Sequence, residues 1–210
     1  MGKLLITSGG YLDGQRSEDL DERIEELSAN KKVLIVTNAT ATGSNIKGVP
    51  IIKQNLEQHA RQVDCVRITE ENIKMVHSYD LLYFTGGDLA PLAKIVTDNI
   101  RTELLNFLSG EGSIIGEGAG SIIFGNNFKW YYDVKKGTKP KYDVELPSYD
   151  GFGFINYEIY PHYNKTSNEQ KKKLIDYNVR NLENVDLIQV MEDGEFYEEN
   201  VFSNLNTKNS

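Results

Sequence analysis

The chain has 210 residues, a length that suits one domain with a sizeable core, since a chain of this size buries roughly 70% of its unfolded surface on folding. Its 23 basic and 31 acidic side chains give a net charge of -8, which offers no electrostatic footprint for a nucleic acid or an anionic membrane, so we expect neither partner. The single cysteine, Cys65, excludes an internal disulfide, and no apolar run is long enough for a signal peptide or a bilayer span, so we expect a cytoplasmic protein.

Short apolar runs alternate with longer amphipathic stretches over the first 126 residues. This alternation predicts strand and helix units around a mostly parallel sheet, an α/β fold. Strands are predicted at 3–7, 33–37, 63–68, 80–85 and 113–116. Helices are predicted after Ser17 as an N-cap, over 46–61 with a break near Pro50, and over 89–108 in two pieces.

The alternation of short apolar runs with amphipathic stretches ends after Asn126. The segment 128–163 contains 11 of the 21 aromatic residues, which predicts strands and loops that cover the sheet. A helix follows over 168–182, with capping-box spacing at its start and Ile175, Val179 and Leu182 on one face. A strand at 186–190, a turn at 192–195 and a short last strand complete a single domain over 1–202, followed by a polar tail at 203–210.

Glycine or small polar residues follow four of the predicted strands. They lie in the segments 8–10, 38–40, 86–88 and 116–120. Ligands of open parallel sheets bind beyond the carboxyl ends of the strands, where loop amides and helix N-termini converge. The sequence therefore predicts the functional site at this edge of the sheet.

The most specific of these segments is GEGAG at residues 116–120, which lies between a short apolar strand and an apolar helix start. A nucleophile elbow has the form G-x-S-x-G in that setting, with small residues around a strained central position. Gly116, Ala119 and Gly120 satisfy this demand. The central residue is Gly118, which has no side chain and cannot attack a substrate.

Three motifs in this order resemble the aspartyl dipeptidase and cyanophycinase family of serine peptidases. SIIGEGAGSIIFG is similar to the family's G-x-S-A-G elbow, YFTGGDLAPLAK to its G-G-N loop before a helix, and EIYPHYNK to its P-H-Y or P-H-F segment. The opening LLITSGG agrees as well, so the resemblance extends from Leu4 to about Glu195. It implies a three-layer α/β/α sandwich, flavodoxin-like and related to class I glutamine amidotransferases.

The resemblance also implies roles for individual residues. Gly118 occupies the position of the family's nucleophilic serine, and His162 matches its catalytic base. The backbone N-H groups of Gly87 and Ala119 would form the oxyanion hole. For the third member of a triad the resemblance favours Asp133, while other carboxylates remain within plausible reach, namely Asp143, Asp150 and Glu158.

Further residues are expected to line the pocket. Asp88 stands where the family commonly has Asn and would disfavour an acidic substrate, but it also suits the N-cap of the helix that starts at Leu89. Both roles can hold. The remaining pocket candidates are Ser8, Gly86, Glu117, Ser121 and Trp130.

No other side chain provides a convincing nucleophile. Ser121 lacks the flanking small residues of an elbow, and its hydroxyl would bond back to its own helix. Cys65 lies in an apolar strand, where we expect it to be buried and inert. His59 and His77 have no metal-ligand spacing, so neither a metal nor a cofactor is expected.

Three functions remain open. The first is an active serine dipeptidase or isopeptidase in which the nucleophile of this particular chain has been replaced. The second, which we favour, is a catalytically impaired homologue that keeps the elbow, the oxyanion amides and His162 and binds a small peptide or carboxylate. The third is an interaction protein with a vestigial pocket. A homodimer is compatible with each of them.

Overall fold

The computed structural model describes residues 2–11, 16–39, 48–134, 146, 148–180 and 188–201. The strands are β1 Leu4–Thr7, β2 Lys32–Val36, β3 Gln62–Val66, β4 Leu81–Phe84, β5 Ser113–Glu117, β6 Glu158–Tyr160, β7 Ile188–Val190 and β8 Phe196–Glu199. The helices are α1 Glu18–Ser28, α2 Gly48–Leu56, α3 Leu89–Ala93, α4 Asp98–Ser109, α5 Ala119–Ile122, α6 Lys129–Val134 and α7 Asn168–Arg180. Two 3-10 helices add Ile73–Ser78 and Tyr163–Lys165.

Six strands form the main sheet in the order β3-β2-β4-β5-β1-β8. The first five are parallel, and β8 pairs antiparallel with β1 at one edge. β6 and β7 form a separate parallel pair. The predicted mostly parallel sheet is confirmed, and it places β5 between β4 and β1, so that the elbow follows an inner strand.

Alternate residues of each strand face two different hydrophobic cores. On one face Leu5, Ile35 and Tyr83 pack with the buried stripes of α1 and α2. On the other face Ile6 and Phe84 pack with residues of α3, α4, α5 and the aromatic segment. These are the three layers of an α/β/α sandwich, because apolar side chains on both faces of a parallel sheet require helices on both sides.

The helix boundaries follow from their caps. Ser17 accepts a hydrogen bond from the Leu20 N-H at 3.2 Å, as predicted. Pro50 lies in the first turn of α2, where its missing N-H has no helical partner to lose, so it does not break that helix. Before α7, Ser167 and Gln170 form a reciprocal capping box.

One residue of the apolar face predicted for the last helix is not buried. Ile175 is 59% exposed, whereas the neighbouring Leu174 is 3% exposed and belongs to the core. The side chain of Val179, together with Leu182 and the tail at 203–210, lies outside the described residues. Within the described part of the chain, no helix combines the length and the apolar character needed to cross a membrane.

Candidate active site

The candidate site lies at the carboxyl edge of the main sheet. Gly118 directly follows β5 and occupies an unusual backbone conformation, with φ 53° and ψ -109°. Its N-H donates to the carbonyl of Thr7 at 3.2 Å, and its carbonyl accepts from the N-H groups of Ser121 and Ile122. The strand thus turns sharply into α5 at Gly118, which is the strand-turn-helix arrangement that the sequence predicted for residues 116–120.

Gly118 has space around it for a side chain. An ideal Cβ at this residue would lie 3.6 Å from Nε2 of His162, 3.6 Å from the carbonyl oxygen of Ser8 and 3.7 Å from Cα of Gly86. All three are ordinary van der Waals distances. A hydroxyl one bond further out would come within hydrogen-bond reach of the imidazole.

His162 is held in a strained conformation by its neighbours. It has φ 60°, in the left-handed region, and its N-H donates to Oγ of Ser8 at 2.8 Å. Its carbonyl accepts from Oγ1 of Thr166 at 3.0 Å. A non-glycine residue with positive φ costs about 1–3 kcal/mol and persists only where the surroundings enforce it. These contacts aim the ring at the elbow.

Asp193 fixes the orientation of that ring. Its Oδ1 lies 2.6 Å from Nδ1 of His162, and its Oδ2 lies 2.8 Å from Nζ of Lys165. Because a carboxylate only accepts hydrogen bonds, this contact favours a proton on Nδ1, and Nε2 is the ring nitrogen that faces Gly118. Burial opposes ionisation of Asp193, whose side chain is 1% exposed, but the hydrogen bonds from Lys165 and His162 outweigh it and lower its pKa.

Two further backbone amides belong to the residues that follow Gly86 and Gly118. Gly87 has φ 140°, and Ala119 is the first residue of α5. No described hydrogen bond uses the N-H group of either residue, whereas the next amide, that of Asp88, donates to the carbonyl of Ala39 at 2.6 Å. Amides that lack an acceptor among the described residues are candidate donors for the oxyanion hole that the resemblance implies.

This geometry agrees with a comparison of the whole chain with known proteins. Residues 4–198 match the model of peptidase family S51. The chain belongs to peptidase family S51. No curated protein matches the chain.

Two solved structures share the fold of this S51 member. One is titled "Putative Peptidase E Protein" from Listeria monocytogenes EGD-e, with a TM-score of 0.69, 19% identity and coverage of 95% of this chain and 98% of that one. The other is a peptidase from an acI-B1 actinobacterium, with a TM-score of 0.69, 18% identity and coverage of 95% and 83%. At this identity they support the fold, a flavodoxin-like three-layer sandwich.

The partner of His162 differs from the sequence prediction. Asp133 is exposed on α6, and no described hydrogen bond or ion pair joins it to His162. Asp150 pairs with Asn127 in an isolated bridge, and Glu158 accepts from the N-H groups of residues 126 and 127. Asp143 lies outside the described residues. The structure therefore corrects the third member of the arrangement to Asp193.

A sequence signal for Asp193 existed. The turn at 192–195 follows the predicted strand at 186–190, and a carboxylate after a strand is a candidate for the same edge of the sheet. The pairing escaped notice because β7 belongs to the separate β6-β7 pair and not to the main sheet. Tyr163 N-H donates to the carbonyl of Met191, and this contact brings the two segments together.

Two predicted pocket residues point elsewhere. Ser121 is fully buried, and its Oγ lies 2.7 Å from the carbonyl oxygen of Thr7 and 2.5 Å from that of Gly116, so these two acceptors share its one proton, while it accepts from the Thr7 N-H. It ties β1 to β5 instead of bonding only within its helix. Glu117 points to the opposite core, where its Oε2 accepts from the hydroxyl of Tyr83 at 2.8 Å. Strand alternation separates its side chain from the elbow.

The other pocket candidates differ in how near the elbow they lie. The Ser8 carbonyl and the backbone of Gly86 adjoin Gly118, as described above. Trp130 is 1% exposed, and its ring packs against Tyr160 with 5.5 Å between centroids, two residues before His162. It belongs to the core that supports the site.

Asp88 caps a helix and also has a carboxylate oxygen that could meet a ligand. Its Oδ1 caps α3 by accepting from the Ala90 N-H at 3.0 Å. Its Oδ2 is buried and has no hydrogen-bond partner among the described residues. A buried carboxylate oxygen without a donor is costly, so Asp88 leaves one acceptor for a ligand.

Metal ligands do not cluster in the described residues, where no group of three or more His, Cys, Asp or Glu side chains could hold an ion. Nδ1 of His59 lies 3.3 Å from Glu25, and Nε2 of His77 lies 2.7 Å from Glu103. Cys65 is partly buried in β3, and burial raises the pKa of its thiol. Neither these histidines nor Cys65 belongs to the residues that surround Gly118.

Proposed function

We propose that this member of peptidase family S51 binds small peptides at the elbow and lacks the covalent step of a serine peptidase. The observation that carries the proposal is the set of groups around position 118. The paired His162 and Asp193 lie beside a residue that is glycine, and the amides of Gly87 and Ala119 belong to the residues that follow Gly86 and Gly118. These groups support recognition of a peptide bond, and position 118 has no side chain that could attack it.

The large contribution of a serine nucleophile to the rate, which this chain lacks, favours a binding function over peptidase turnover. Removing the serine of a catalytic triad costs on the order of 10⁶ in rate, while binding and an oxyanion hole leave roughly 10³ to 10⁴ over water. At so small a residual rate, the bound ligand would stay uncleaved for far longer than in an active peptidase.

The charge of Asp88 supports a preference among peptides. Burial, and after it the negative charge of Asp88, raises the pKa of Tyr131 and of Tyr132, so this carboxylate acts on the aromatic segment beside it. Its unpartnered Oδ2 suits an ammonium group and repels a carboxylate. We therefore propose ligands with a free amino terminus or a basic first residue, and weaker binding of acidic peptides.

Ligand-induced thermal stabilisation tests this proposal. Dipeptides that begin with Lys, Ala or Asp are added at millimolar concentration, and the melting temperature is recorded. A ligand that binds only the folded state raises the melting temperature. We expect the largest shift with the Lys peptides and the smallest with the Asp peptides.

Two variants show whether Asp88 sets that order. Asp88→Asn keeps an N-cap side chain but removes the charge, and it should bring the Lys and Asp peptides to similar shifts. Asp19→Asn removes an exposed carboxylate from α1, on the opposite face of the sheet, and should preserve the order. Absence of a shift with every dipeptide would overturn the proposal.

A second candidate function is serine-dependent hydrolysis in a form of the protein with serine at position 118. The free space at the ideal Cβ of Gly118 favours it. Sequencing codon 118 in the source gene tests this candidate, because a glycine codon there excludes it.

A further inference from the structure

A cavity lies at the amino edge of the main sheet, opposite the elbow. Its volume is about 230 Å³, and its lining includes Lys31, Asp80 and Gly112, which directly precede β2, β4 and β5. These three parallel strands are neighbours in the sheet. Gly112 and Gly118 stand at the two ends of β5, which at about 3.3 Å per residue places the cavity roughly 20 Å from the elbow. A ligand in the cavity therefore leaves the elbow free.

One cation and one anion of the lining have no described partner. Neither the ammonium of Lys31 nor the carboxylate of Glu111 takes part in a hydrogen bond or ion pair of the described residues. Asp80, by contrast, is engaged, since its Oδ2 accepts from the Lys32 N-H at 2.8 Å and lies 3.7 Å from Nη2 of Arg61. An anionic ligand would be repelled by Glu111 and a cationic one by Lys31, whereas a molecule with both charges satisfies both groups.

Neutral polar groups add to these two charges. The side-chain amide of Asn106, in the last turn of α4, has no partner among the described residues, and the backbone N-H of Glu111 has no described acceptor. Amide N-H groups and the Lys31 ammonium are donors for a carboxylate, while the Asn106 carbonyl and the Glu111 carboxylate are acceptors for an ammonium group. The C-terminal end of α4 also favours a positive charge.

The cavity is small, and part of its wall is tightly packed. Pockets for drug-sized ligands measure roughly 300–1,000 Å³, so a volume of about 230 Å³ suits a smaller molecule. An ideal Cβ at Gly112 would lie 2.4 Å from Cζ of Phe107, so this ring packs directly against the backbone. The ring of His77, whose Nε2 lies 2.7 Å from Glu103, stands 6.4 Å from it. A wall held in this way has little to reorganise on binding.

We propose that the cavity binds a free amino acid as a zwitterion, with its carboxylate at Lys31 and its ammonium group at Glu111. An amino acid carries both charges and is smaller than the dipeptides proposed as ligands of the elbow. The cavity and the groups proposed to bind peptides at the elbow share no residue, so either function can hold without the other.

Amide chemical shifts of the isotope-labelled full chain locate the binding, with L-alanine at millimolar concentration as the probe. We expect signals of residues 110–112 to move and those of residues 86–88 and 118–120 to stay. L-Alanine amide lacks the carboxylate and N-acetyl-L-alanine lacks the ammonium group. Each should bind about tenfold more weakly or worse, because each leaves one charged group of the cavity without its partner.

Two variants test the assigned groups. Lys31→Met and Glu111→Gln each remove one charge from an exposed side chain without a described partner, so both should fold and both should raise the Kd for L-alanine about tenfold. Lys172→Met on α7 and Glu22→Gln on α1 remove the same charges from exposed side chains elsewhere. These controls should leave the Kd unchanged.

The outcomes distinguish this site from the elbow. Unmoved signals at residues 110–112, an unchanged Kd in both cavity variants, or equal binding of L-alanine and its two derivatives would overturn the amino-acid site. Stabilisation by dipeptides is measured on the same proteins. L-Alanine binding at residues 110–112 without any stabilisation by dipeptides supports the cavity site and overturns only the peptide-binding proposal, whereas the reverse result overturns only the cavity site.

Discussion

The apex and the flanks of the elbow contain the same residue type for different reasons. An ideal Cβ at Gly116 would lie 2.5 Å from the carbonyl oxygen of Gly120, and one at Gly120 would lie 2.2 Å from that of Phe84. At Gly118 the nearest such atom is 3.6 Å away. The flanks are glycine because the backbone approaches too closely for any side chain, whereas the apex has room for one.

Packing therefore requires glycine at positions 116 and 120, whereas it does not require glycine at position 118. A close approach between β4, β5 and α5 explains the outer glycines. It does not explain Gly118, whose only conformational demand is its positive φ, a strain that other residues tolerate where their surroundings enforce it. His162 is such a residue in the same site.

We expect the largest loss of stability from Gly120→Ala. Its methyl group meets backbone atoms, which cannot move aside as the end of a flexible side chain can, so we expect a loss of about 4 kcal/mol or more in unfolding free energy. Urea denaturation measures it. Gly110→Ala is the matched control, since its nearest contact is 3.5 Å away. Similar losses in the two variants would contradict the packing explanation.

Ser121→Ala tests the tie that holds the elbow against β1. The change leaves the buried N-H of Thr7 without its side-chain acceptor and removes the hydroxyl proton that the carbonyls of Thr7 and Gly116 share, so we expect a loss of about 2 kcal/mol in unfolding free energy. Ser109→Ala removes an exposed hydroxyl that donates to a carbonyl in its own helix and serves as the control. Comparable unfolding free energies for the two variants would argue against the tie.

Gly118→Ser should lower the unfolding free energy by less than Gly120→Ala or Ser121→Ala. The side chain fits, and only the positive φ opposes it, for about 1–2 kcal/mol. We expect the variant to react with a fluorophosphonate and to show a burst of p-nitroaniline from lysine p-nitroanilide, since the serine hydroxyl would lie beside Nε2 of His162. Gly118→Ala should lose similar stability without labelling. A folded but unreactive serine variant would show that the site geometry is unsuited to covalent catalysis.

The smallest expected effect is a pH dependence of stability from Asp193. Its pKa is lowered from the usual 3.8 on folding, so the unfolded state takes up a proton at higher pH than the folded state. The stabilisation is present above the usual value and is lost as pH falls through the lower folded value. Between pH 6 and pH 3, the melting-temperature difference between the parent protein and Asp193→Asn should shrink.

A second variant identifies the source of that dependence. Lys165→Met removes the positively charged lysine partner of Asp193 and should show a weaker pH dependence than the parent protein. A difference between the parent protein and Asp193→Asn that stays constant down to pH 3 would show that these partners do not favour the ionised carboxylate.

The strands and the elbow could be predicted from local patterns. Apolar runs, the cap at Ser17 and the glycine pattern at 116–120 are short-range features, and each strand prediction within the parallel sheet overlaps the observed strand. Family S51 and its three-layer fold followed from three ordered motifs. Contacts between distant segments were harder to predict from the sequence, since the contact between His162 and Asp193 joins residues 31 positions apart.

Side-chain direction was the other source of error. Glu117 and Gly118 are adjacent, yet the carboxylate faces Tyr83 in the opposite core. Ile175 was predicted to share an apolar face with Val179 and Leu182, yet it is 59% exposed and its neighbour Leu174 is buried. In both cases one residue along the chain changes which face a side chain meets, and packing partners from distant segments decide the outcome.

The sequence by itself determined the α/β class, the motif order and the absence of a side chain at position 118, because these depend on residue type and local spacing. Only the tertiary structure decided that Asp193 orients His162, that Ser121 ties two strands together and that Gly118 has room for a side chain. Those properties arise where separate segments meet, and the distances between such segments are set by packing.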